Sequence, residues 1–140
     1  MVSFWYYLFI NQEIVKNLKV VFEKEPKVGV VYFFGSRNRG DFDLNSDYDF
    51  AVYFIERDVV KRHNLLFKII GEISHIIKSD NLDVISLNDS DSLVLKYKII
   101  SEGTVIFERE PYKIMIEPQI LNEYFDYKYL MAKYNLTKVK

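Results

Sequence analysis

Cysteine is absent from the 140 residues. That removes disulfide frameworks and thiolate metal sites, and it fits a reducing, cytoplasmic setting. Glycine and proline are scarce, at 5 and 3, so long irregular stretches are not expected. Neither sign of charge is in surplus: 19 Lys+Arg stand against 20 Asp+Glu, a formal net charge of −1. A generally basic nucleic-acid binder is thereby excluded, because phosphate neutralisation needs excess Lys and Arg. An acidic disordered tail is excluded too. Residues 4–10, Phe-Trp-Tyr-Tyr-Leu-Phe-Ile, fall far short of the roughly 20 apolar residues of a membrane span. They also lack the basic flank and small-residue cleavage site of a signal peptide. They are read as an extra apolar segment packing on the domain, the other reading being a start placed too early.

Hydrophobic residues make up 49% of the chain, enough for one packed core, and the length is that of one domain. Residues 12–24 carry Ile14, Leu18 and Val21/Phe22 at helical spacing, with Asn11 as the expected N-cap and Pro26 as the stop. Residues 28–34 are a continuous apolar run, expected to be a strand buried on both faces. Residues 48–54 read as a second strand. A long amphipathic helix is expected over 58–78, with Val59, Leu66, Ile69/Ile70, Ile73 and Ile76/Ile77 in register. A strand over 82–87, a helix over 91–101 ended by Gly103, and a strand over 104–108 follow. Beyond Pro111 and Pro118 the chain is expected to be helical and Tyr-rich. The order α-β-β-α-β-α-β-α predicts an α/β (α+β) fold, a small mixed β-sheet with flanking helices.

The first strand runs into Gly35-Ser36, and after ten intervening residues come Asp47-Tyr48-Asp49. Gly35 has no Cβ, so the backbone can turn sharply and approach a ligand. Ser36 is placed at a helix N-terminus, where free N–H groups and a hydroxyl can hold phosphate oxygens. Asp47 and Asp49 are two apart on a strand, so both carboxylates leave one face. Such a pair repels unless a cation lies between, and Mg²⁺ prefers a few carboxylates plus phosphate oxygens, so a triphosphate completes the site. Asp83 sits inside an otherwise apolar strand, where a lone acid is costly without a metal or partner; it is the natural third carboxylate. Turn chemistry at Asn45-Ser46-Asp47 is the bland alternative. The full spacing is expected by chance in roughly one chain in several hundred, and its position between two expected strands favours the catalytic reading.

Phe33-Phe34-Gly35-Ser36-Arg37-Asn38-Arg39-Gly40, followed by Ser46-Asp47-Tyr48-Asp49-Phe50-Ala51-Val52, resembles the minimal nucleotidyltransferases of the polymerase-β superfamily. Within them the chain is most similar to the MntA-type antitoxins paired with HEPN ribonuclease toxins. The resemblance covers about residues 11–108 and implies one nucleotidyltransferase domain over 1–140, with a C-terminal helical extension over about 111–137. It implies that Gly35 and Ser36 bind the nucleoside triphosphate and that Asp47, Asp49 and Asp83 hold two Mg²⁺. It further implies transfer of AMP from ATP to a Tyr of a partner HEPN toxin. Residues 2–10 and the C-terminal extension lie outside the motif.

Arg37 and Arg39 have two readings: neutralisation of triphosphate charge, or surface ion pairs with Asp41 and Asp43. Asp41-x-Asp43-x-Asn45-x-Asp47-x-Asp49 imitates the start of a Ca²⁺ loop, but Ser46 stands where its Gly belongs and Val52 where its Glu belongs. Arg57-Asp58-x4-His63 fits the loose HEPN ribonuclease pattern, yet it follows two strands and reads as an exposed helix start. His63 and His75, twelve apart, make zinc improbable. In the tail, Ile120, Tyr124, Tyr127, Met131 and Tyr134 form one helical stripe. It either packs on the chain's own sheet or makes a protein interface, where Tyr is enriched. Two other functions stand beside AMP transfer to a toxin: nucleotidylation of a small-molecule antibiotic hydroxyl, and neutralisation of the toxin by contact alone. Neither membrane association nor direct nucleic-acid binding is expected.

Overall fold

A computed structural model of the chain describes residues 12–40 and 47–134. The N-terminal apolar segment, the expected cap Asn11, and Asp41, Asp43 and Asn45 lie outside the described residues. The elements, in chain order, are α1 (Gln12–Glu23), β1 (Val28–Phe34), α2 (Ser36–Arg39), β2 (Tyr48–Phe54), α3 (Val59–Ile77), β3 (Leu82–Ser86), α4 (Leu93–Glu102), β4 (Thr104–Glu108) and α5 (Tyr112–Lys133). A short 3₁₀ turn, Leu87–Asp89, follows β3. The expected order holds except that the short helix α2 stands between the first two strands, where none was counted, and three of the four strands have the expected bounds. The strands pair in the order β3-β2-β1-β4. β1 is antiparallel to β2 and β4, and β2 is parallel to β3, so the sheet is mixed.

β1 lies inside the sheet and is buried along nearly its whole length, which is why its sequence is a continuous apolar run rather than an alternating one. On one face, Val31 and Phe33 of β1 and Phe50, Val52 and Phe54 of β2 meet Leu18 and Phe22 of α1 and Ile69 and Ile73 of α3. On the other face, Val30, Tyr32 and Ala51 meet Leu87, Ile99 of α4 and Ile116 of α5. The sheet is therefore sandwiched between helices. In α1 the buried set is Val15, Leu18 and Phe22, with the expected Ile14 and Val21 only packed against it. Val59, expected in the apolar register of α3, is exposed, because it opens the helix before the stripe reaches the sheet.

The helix ends are closed by their own side chains. The Asp58 carboxylate accepts the Lys61 N–H at 2.9 Å, and the Ser92 hydroxyl accepts the Leu95 N–H at 3.1 Å, as N-caps do. Pro118 does not start the last helix but lies within it. It has no N–H for the Ile114 carbonyl, and Ile114 is exposed, so water can take that role. Arg109 ties three segments together, donating from its guanidinium to the carbonyls of Val28, Phe22 and Glu25. No helix among the described residues is long and apolar enough to cross a membrane.

α5 is fixed to the sheet by one buried polar pair. The Tyr32 hydroxyl donates to Glu117 at 2.5 Å. Burial, reinforced by the Glu117 carboxylate, holds the Tyr32 phenol far above its usual range, so it remains a donor. Tyr32→Phe is expected to lower stability by about 1–2 kcal/mol by taking the phenol donor from Glu117, which then keeps only its 3.5 Å ion pair with Lys113, measured as a lower urea midpoint with an unchanged slope.

Candidate active site

Three adjacent strands deliver the motif to one end of the sheet. Phe34, the last residue of β1, is paired with Asp49 near the start of β2. Asp49 in turn is the parallel partner of Asp83 on β3. Asp47 directly precedes β2. Because side chains alternate along a strand, Asp49 shares its face with Ala51, which packs in the α4/α5 cluster. Asp83 shares its face with Ile85, which packs against the same cluster. Asp49 and Asp83 therefore stand side by side on one face, at its open end.

Asp49 is partly buried, whereas Asp47 and Asp83 are exposed. Burial, and then the like charges of Asp83 and Asp47, push the Asp49 carboxyl up to about 6, against a lowering effect from Arg39. The burial cost inferred for Asp83 is not the reason for its position, since its side chain reaches solvent. What singles it out is its place opposite Asp49.

Gly35 closes the site from the β1 side. Its φ of 86° and ψ of −166° belong to a region that side chains rarely tolerate. A Cβ there would fall 2.0 Å from Asp49 Oδ2. Both constraints demand glycine. Ser36 opens the four-residue helix α2, as expected, with Gly35 as its N-cap. The Gly35 carbonyl accepts N–H bonds from Asn38 at 3.1 Å and Arg39 at 3.0 Å. Gly40, at φ 93°, ends α2 in the left-handed region.

The two arginines part company. The Arg37 guanidinium lies 4.1 Å from the Tyr48 ring centroid, a cation–π contact. Tyr48 packs with the α1/α3 cluster, on the face opposite Asp49. Arg39 is the arginine whose charge reaches Asp49. Asn38, which sequence reasoning passed over, is buried. Its amide donates to the Glu102 carbonyl at 3.0 Å, and its oxygen accepts from the Thr104 hydroxyl at 2.7 Å. The turn is thus bolted to the end of α4 and the start of β4. The one signal for it was an uncharged side chain between two arginines.

Hard cations such as Mg²⁺ take carboxylate oxygens and keep other positions for water or phosphate oxygens. Among the described residues, no group of three or more His, Asp or Glu side chains forms a ready-made cage. Asp47, Asp49 and Asp83 are the donor type that fits such an ion, in an arrangement that a ligand's own oxygens would have to complete.

Residues 16–112 match the family model described as polymerase beta, nucleotidyltransferase. The protein adenylyltransferase MntA of Aphanizomenon flos-aquae (strain 2012/KM1/D3) is 32% identical over an alignment of 96 residues, and the match covers 61% of this chain and 60% of that protein. The chain thus spans about three-fifths of the length of that curated relative. Among solved structures, it is similar to a chain of a toxin–antitoxin crystal structure with AMP-PNP, with a TM-score of 0.65, 21% identity, and coverage of 90% of this chain and 94% of that one. It is also similar to a chain in the structure of tri-AMPylated Shewanella oneidensis HEPN toxin in complex with MNT antitoxin, with a TM-score of 0.63, 18% identity, and coverage of 89% and 92%. At these identities the structural likeness is one of fold.

The geometry makes two predictions. Gly35→Ala is expected to cost about 1–3 kcal/mol of stability from backbone strain. It should also displace the Asp49 carboxylate, whose Oδ2 a Cβ would meet at 2.0 Å; chemical denaturation reads the loss of stability. Asp49 predicts the opposite sign for stability. Its folded carboxyl is raised from 3.8 to about 6, so the folded state binds the proton more tightly than the unfolded state. That contribution is present at low pH and is lost as pH rises through about 6. At pH 7 without metal, Asp49→Asn should therefore be as stable as the parent or more stable by about 1 kcal/mol, allowing for solvent screening. The difference should vanish at pH 4 in thermal melts.

Proposed function

The chain belongs to the polymerase-β nucleotidyltransferase family, and on that footing we propose that it transfers AMP from ATP to a tyrosine hydroxyl of a partner HEPN ribonuclease toxin, neutralising it. The observation that carries this reading is the carboxylate pair Asp49–Asp83 on adjacent strands, with the side-chain-free turn at Gly35 against it. The naming of a related protein as a protein adenylyltransferase and the AMPylated toxin in a fold neighbour's complex support the choice of nucleotide and acceptor. ATP as substrate and the absence of cysteine both fit a cytoplasmic protein.

In this mechanism the turn at Gly35 and Ser36 lets the triphosphate lie close to the backbone. Asp47, Asp49 and Asp83 would hold Mg²⁺, which would neutralise phosphate charge and make the acceptor hydroxyl more acidic. Arg39, already within electrostatic reach of Asp49, offsets negative charge as it builds on the α-phosphoryl group. Arg37 braces the turn from behind through Tyr48. The acceptor oxygen attacks the α-phosphorus, loses its proton, and the bond to pyrophosphate breaks. No side chain of this protein forms a covalent intermediate.

A protein acceptor suits the outer surface of α5. Phe125, Tyr129, Leu130 and Tyr134 are exposed there, as are Ile114 and Met115 nearer its start, and exposed apolar groups of this kind favour protein contact. All but Tyr134, the last member of the stripe read from sequence, lie off that stripe. That stripe points inward at Ile120 and at Tyr124, which stacks on Tyr97 at 4.0 Å, so self-packing accounts for its first half.

The test is mass spectrometry of a HEPN toxin co-expressed with the chain. AMP on a toxin Tyr is expected with the parent protein, and a loss of about 100-fold or more in transfer rate with Asp49→Asn. Protection of cells by Asp49→Asn with no adduct would overturn the reading in favour of contact alone. Transfer to an aminoglycoside rather than to the toxin would overturn the acceptor.

A further inference from the structure

Beside the Gly35 turn the surface opens into a cavity of about 180 Å³. One wall is the turn, through Gly35, Asn38 and Arg39 with Phe34 next to them; the other is α4, through Leu95, Lys98 and Glu102. Positions 95, 98 and 102 are three and four apart, so they share one side of the helix. Asn38 fixes the spacing of the two walls, since its buried amide holds the Glu102 carbonyl at 3.0 Å.

Lys98 is exposed, and its ammonium makes no ion pair or hydrogen bond with another described residue. Arg39 lines the same cavity and is the cation whose charge reaches Asp49. A phosphate chain lying against Asp49 and extending past Gly35 would enter this cavity with Arg39 on one side and Lys98 on the other. Glu102, on the Lys98 wall, repels such a chain, so Arg39 alone would leave the cavity close to neutral. The Lys98 charge is what makes it a site for a polyanion. An ammonium on a flexible four-carbon stem suits this task as a mobile point charge.

We propose that Lys98 is a further nucleotide-binding residue, which takes the β- and γ-phosphates of the nucleoside triphosphate from the α4 side of this cavity. The inference rests on the nucleotidyltransferase reading above and adds to it a residue from an element that the Gly-Ser and Asp-x-Asp motifs do not touch.

Isothermal titration in Mg²⁺ separates the two. The parent protein must bind AMP-PNP; if it does not, the nucleotidyltransferase reading itself fails. Given that binding, Lys98→Ala is expected to weaken AMP-PNP about tenfold or more while changing AMP, measured by competition, by less than about twofold. Lys98→Arg should restore most of the loss. A merely structural role would lower the melting temperature and weaken both ligands alike. Unchanged AMP-PNP affinity in a folded Lys98→Ala protein, or equal losses for AMP and AMP-PNP, would overturn the assignment.

Discussion

Negative charge crowded against a sheet end is the constraint on which the molecule turns. Asp49 is pressed between Asp83 on the next strand and the Gly35 turn, which leaves no room for a single carbon atom. Burial first, and then the charges of Asp83 and Asp47, push the carboxyl up to about 6, and Arg39 offsets only part of that. The surrounding structure holds the group in place. β1 is clamped between β2 and β4, the helices cover both faces, and Arg109 locks the entry to β1 through three carbonyls. The apolar sandwich supplies the free energy that keeps the acidic end in place.

The sheet was legible because a strand buried on both faces must be apolar throughout, as Val28–Phe34 is, and because Tyr48–Phe54 departs from that rule only at Asp49. The expectation that Asp47 and Asp49 leave one face assumed that both lie on the strand, whereas β2 begins at Tyr48 and the pair that shares a face is Asp49 with Asp83. Asp83 was found for an incomplete reason: burial suggested it, whereas strand register places it. Pairing across β2 and β3, fixed by the apolar match of Phe50 with Val84 and of Ala51 with Ile85, is long-range information that no local pattern carries.

The surroundings of the turn that follows β1 were hidden for the same cause. Asn38 gains its importance from the Glu102 carbonyl and Thr104, more than sixty residues away in the chain. Arg37 and Arg39 look equivalent in a row of basic residues, yet two positions along a single helical turn send them to different surroundings: one stacks on Tyr48 and the other faces the acids. On α5, an inward stripe could be read from 4-3 spacing, while the exposed Phe125, Tyr129 and Leu130 follow no tidy period.

Three consecutive residues of α4 face three neighbours. Tyr97 stacks on Tyr124 of α5 with rings nearly parallel, Lys98 looks into the cavity beside Gly35, and Ile99 is sunk into the core. Successive residues of a helix are separated by a fixed angle, so these three directions form one rigid tripod. Helix α4 is thus held at once by the outer helix through Tyr97 and by the core through Ile99, and these two anchors set the point from which Lys98 reaches the cavity beside the acidic end of the sheet.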